Sequence, residues 1–122
     1  MPVTPRAAAS ATSASRTSDI AAAAAAEMRE EAHLTGGRLQ PLLREGHPGA
    51  LELKWSSTRF HCFLCVDPVP DLSPPSRDAE EFIEVLPRMS LAQALSIAYS
   101  GDMHLPSAFT IMAAARKLGV NF

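Results

Sequence analysis

At 122 residues the chain is at most one domain, and 13 Asp and Glu against 11 Lys and Arg leave a net charge of −2. That balance offers no basic surface for nucleic acid or for an anionic membrane, and no apolar run approaches the roughly 20 residues of a membrane span. Two cysteines make no disulfide framework, and nothing resembles a signal-peptide core. The expectation is therefore a reducing intracellular compartment, cytoplasmic or, as the alternative, mitochondrial.

Apart from Met1 and Val3, residues 1–17 are Pro, Ala, Ser and Thr with Arg6 and Arg16 and no acid, without apolar periodicity, which predicts a disordered N-terminus. The acid-free, arginine-bearing composition is also that of an organellar transit peptide. Ser18 to Gly37 then reads as a helix, with Ser18 or Asp19 at its start, an alanine run through its middle and Gly36–Gly37 as its stop. Near its C-terminal end Glu30 and Glu31 flank Glu27 on one face, while Arg29 points the opposite way. Glu27 and Glu31 are like charges at i, i+4 and sit at the negative end of the helix dipole, each a small cost. Two readings follow: a solvated acidic face, or a set of hard oxygen donors whose missing partner is a divalent cation.

Arg38 to Leu43 predicts a short strand and 44–50 a turn-rich connection. Leu51 to Trp55 alternates, and Arg59 to Val66 is aromatic and apolar throughout, a strand buried on both faces. Cys62 and Cys65 lie three apart, on opposite faces of such a strand, and no second pair completes a tetrahedral metal site, so they are core cysteines. The four prolines of 67–78 predict a loop. Phe82 to Val85 predicts a strand within an acidic stretch. Ser90 to Tyr99 is an amphipathic helix with Leu91, Ala94, Leu95 and Ala98 on one face and Gly101 as its stop. A last helix runs from Ser107 to Leu118, packing through Phe109, Ile111, Met112 and Ala115 and ending at Gly119.

Ala26-Glu-Met-Arg-Glu-Glu-Ala-His-Leu34 resembles the second half of the Nudix box, Arg-Glu-U-x-Glu-Glu-x-Gly-U with U aliphatic. Glu27, Met28, Glu30, Glu31 and Leu34 match it. Ala26 stands at the arginine, His33 at the glycine, and the glycine and glutamate of the first half fall on Thr12 and Ser18. The runs Trp55 to Val66, Asp78 to Leu86, Leu91 to Leu95, Ser100 to Met103, Ser107 to Ile111 and Ala113 to Arg116 resemble, in order and spacing, the C-terminal part of the ADP-ribose (ADP-sugar) pyrophosphatase branch. Thr58 replaces a usual glutamate.

That resemblance implies an α/β (α+β) domain over 18–122, an incomplete Nudix-type α/β/α sandwich with a small mixed sheet flanked by helices. The part of the family's sheet and dimerisation region that precedes the box has only low-complexity residues here. It implies hydrolysis of ADP-ribose or a related nucleoside diphosphate sugar to AMP and a sugar phosphate, with Mg²⁺ or Mn²⁺. Carried over residue by residue, Glu27 and Glu31 are the main metal ligands, Glu30 and Glu31 catalytic groups with Glu30 supporting the metal, and Glu81 a distal ligand or part of the base machinery. Glu80 and Asp78 are base candidates, although the family's catalytic glutamate aligns with Ala79. Self-association weaker than the family's homodimer is expected, since its contacts draw on the missing region. The alternatives are a catalytically impaired nucleotide-binding or scaffold protein, or a fragment that does not fold alone.

Overall fold

The computed structural model describes residues 4–7, 17–75 and 88–121. In chain order these form β1 (Thr4–Ala7), α1 (Thr17–Glu27), a π turn (Met28–Ala32), β2 (Leu34–Thr35), β3 (Arg38–Pro41), β4 (Ala50–Leu51), β5 (Arg59–Phe60), β6 (Cys62–Val66), β7 (Val69–Pro70), α2 (Leu91–Ser100) and α3 (Leu105–Lys117). The protein is mixed α and β. All pairings among the described residues are antiparallel. The expected strand from Phe82 to Val85 lies outside the described residues.

The main sheet has the order β1-β6-β3. Its centre, β6, is the apolar run read from the sequence, and Cys62, Phe63, Leu64 and Cys65 are all buried. Because side chains alternate along a strand, burial of four in succession requires cover on both faces. On one face Phe63 packs with Ala24, Ile20 and Ala21 of α1 and with Leu39 of β3. On the other, Cys62 meets Thr110 of α3, whose hydroxyl donates to the Pro106 carbonyl at 2.7 Å. The alanine run lets α1 approach closely, and Ala24 has no exposed surface. Helix α3 also lies against β1, and α2 packs on α3.

β1 falls in the stretch whose composition predicts no regular structure, and it corrects that expectation for Thr4–Ala7. The run from Arg59 to Val66 is likewise not one strand. It divides at His61: β5 pairs with β4, while β6 belongs to the main sheet. Gly49 explains the break in part. It is buried at φ 109°, and a Cβ there would stand 2.9 Å from the Arg59 Cβ and 3.2 Å from His61 Nε2. Arg59 donates to the Gly49 carbonyl, and Phe60 reaches α3 through an edge-to-face contact with Phe109, centroids 5.9 Å apart. The alternation of Leu51 to Trp55 yields only Ala50–Leu51 as strand, and Leu53 and Trp55 are exposed.

The helix ends are locally determined. Ser90 accepts from the Gln93 amide at 3.1 Å while Gln93 accepts from the Ser90 amide at 2.9 Å, a reciprocal cap, and Gly101 at φ 92° closes α2. At the end of α3 Val120 donates to Ala115 and Gly119 to Arg116, the paired bonds of a Schellman stop, with Gly119 at φ 80°.

Candidate functional site

The carboxylate helix changes its hydrogen bonding where the carboxylates begin. α1 is regular to Glu27, and Met28–Ala32 widens into the π turn. Met28 is buried and holds the turn to the body of the protein. Glu27 and Glu31 are half-buried, and Glu30 is exposed. Neither Glu27 nor Glu31 is without partners.

The turn stops at His33, which takes the left-handed conformation (φ 54°, ψ 39°) and donates its amide to the carbonyls of Arg29 and Met28. This corrects the expectation that Gly36–Gly37 ends the helix. Those glycines instead join β2 to β3, with positive φ at both and a Gly37 Cβ position only 2.6 Å from the Val66 carbonyl oxygen. The β2–β7 and β3–β6 pairs share one register, so they form a single ladder interrupted at Gly36–Gly37 opposite Asp67–Pro68. Asp67 at φ 57° bends the second side.

β7 interrupts what the prolines predict as uninterrupted loop, and the residue after it is Asp71. Its amide donates to the His33 carbonyl at 2.9 Å. One carboxylate oxygen receives Arg29 Nε at 2.8 Å and the other the Ser73 amide at 3.0 Å. The Asp71 side chain is 9% exposed. The Arg29 hydrogen bond, then the Ser73 amide, hold its carboxyl below the usual range. The sequence singles out neither Asp71 nor its contact with Arg29, because the two are 42 residues apart and no local pattern links them.

Comparison with known protein families, with curated proteins and with solved structures gives no match. The site is therefore read from its own residues. Glu27, Glu30 and Glu31 share the end of one helix. Glu80, Glu81 and Asp78 lie outside the described residues. Among the described residues no group of three or more His, Cys, Asp and Glu is placed to hold a metal ion. The donor chemistry of Glu27 and Glu31 nonetheless fits Mg²⁺, a hard cation that takes one or two carboxylates and completes its shell with water and substrate phosphate. His33 Nε2 is buried and has no hydrogen-bond partner among the described residues, an expensive state for an imidazole nitrogen.

No helix among the described residues is long and apolar enough to cross a membrane. Cys62 and Cys65 are free thiols, as expected for core residues, and burial pushes both up from the ordinary thiol range.

Proposed function

We propose that the protein is a Nudix-type hydrolase that cleaves the diphosphate of ADP-ribose or a related nucleoside diphosphate sugar, giving AMP and a sugar phosphate. The observation that carries this reading is His33. It stands where the box has glycine, and its left-handed backbone is the conformation for which glycine is normally required. The helix thus ends at the point the box predicts, directly after the carboxylates. The π turn beneath them adds support, since such turns recur at functional sites.

Glu27 and Glu31 would hold Mg²⁺, with Glu30 as the supporting carboxylate at the exposed edge. The bound cation supplies charge neutralisation at the diphosphate and a lowered pKa for water. Glu80 and Glu81 are retained as the base candidate and the distal ligand. The test is incubation with ADP-ribose and Mg²⁺, with AMP measured by chromatography. Wild type is expected to release AMP, and E27Q or E31Q to cut the rate by about 10²-fold or more, the scale of losing one group that stabilises transition-state charge. No AMP from verified folded protein overturns the assignment. Ala26 at the box arginine favours a second reading, nucleotide binding without turnover. ADP-ribose binding by calorimetry with no AMP formed would select it.

A further inference from the structure

We propose that Asp71 is a positioning residue for the carboxylate helix, holding the turn that carries Glu27, Glu30 and Glu31 through its contact with Arg29. The proposal rests on the hydrolase reading above. Its starting point is that this turn is the least self-sufficient part of the helix. Its π hydrogen bonding is rare, like charges crowd three and four residues apart, and they face the negative end of the dipole. Something outside the helix must therefore set its rotation.

Asp71 is built for that task. Its amide is fixed to His33 at 2.9 Å, its Oδ1 to the Ser73 amide at 3.0 Å, and its Oδ2 receives Arg29 Nε at 2.8 Å. The β2–β7 pairs lock the same two chain segments one and two residues away. Arg29 lies within the carboxylate turn, so the contact fixes the angle at which its neighbours face. An ion pair of this geometry directs as well as attracts, and a shift of about 1 Å at a reacting group costs on the order of 10²-fold.

The probe is Mn²⁺, with free ion followed by electron paramagnetic resonance on the full chain. Wild type is expected to bind Mn²⁺ and E27Q/E31Q not to. D71N and R29A should each weaken binding by about tenfold or more, the range seen when the partner of a ligand-bearing group is removed. D71E, which keeps the charge, should lie closer to wild type than D71N. Slow amide exchange retained at Thr35, Val69 and Asp71 would show that the ladder survives in the variants. If D71N does not fold, R29A carries the test, because that side chain is 46% exposed. Wild-type affinity in D71N or R29A, with the ladder intact, overturns the positioning role alone. Failure of wild type to bind Mn²⁺ overturns the hydrolase reading and this role together.

Discussion

His33 combines two costs at one position. A side chain in the left-handed region loses roughly 1–2 kcal/mol to contact with its own carbonyl, and a buried imidazole nitrogen unpaired among the described residues adds to that. H33G is therefore expected to raise stability by about 1 kcal/mol despite lost side-chain contact, and H33V to lower it by about 1–2 kcal/mol. Urea midpoints of the three proteins check the order. His61 gives a pH dependence. Burial, then the charge of His47, lower its pKa from 6.5, against a bond to Pro48 that raises it. The folded state thus binds the proton less readily than the unfolded chain. The resulting stability is complete above about pH 6.5 and drains as the pH falls below it. Urea midpoints at about pH 7.5 and about pH 5.5 should differ in that direction, and by less in H61N.

Among the elements, α2 and α3 were legible because their signals are local. Ser90, Gly101 and Gly119 each act within a turn of their own helix, and the buried pair Ala94 and Leu95 lies on the expected face of α2, whereas α3 buries Ala108, Thr110, Ala114 and Ala115 and leaves the expected Phe109 42% exposed. S90A removes the reciprocal cap and should cost about 1 kcal/mol, read as a lower melting temperature. The core of β6 was legible because four apolar residues in succession have no other home. Its boundary was not, since the break at His61 depends on Gly49 pressing in from ten residues upstream of Arg59. Of the candidate site, the carboxylates at 27–31 were visible, but the stop was expected at Gly36–Gly37 and falls at His33, because only the folded backbone shows which residue turns left-handed. Arg29 was assigned only a direction, and Asp71 was hidden, because contacts made by folding the chain back leave no periodicity behind.

Across the whole molecule, cover is uneven. β6 has a helix on each side, whereas the β4–β5 hairpin has two pairs and leaves Leu51, Leu53 and Trp55 exposed. Native-state hydrogen exchange should therefore be slowest at Cys62–Cys65 and fastest at residues 50–58, the hairpin opening without global unfolding. Equal protection of both segments would contradict that picture. The two thiols of β6 turn the layering into a clock. Cys62 looks toward α3 and Thr110, while Cys65 looks the other way, its sulfur 3.6 Å from the Gly36 carbonyl. A thiol reagent added to the native protein reaches each one only when its own cover lifts. The order in which the two sulfurs are alkylated would record whether α3 over Cys62 or the Gly36 turn beside Cys65 opens first.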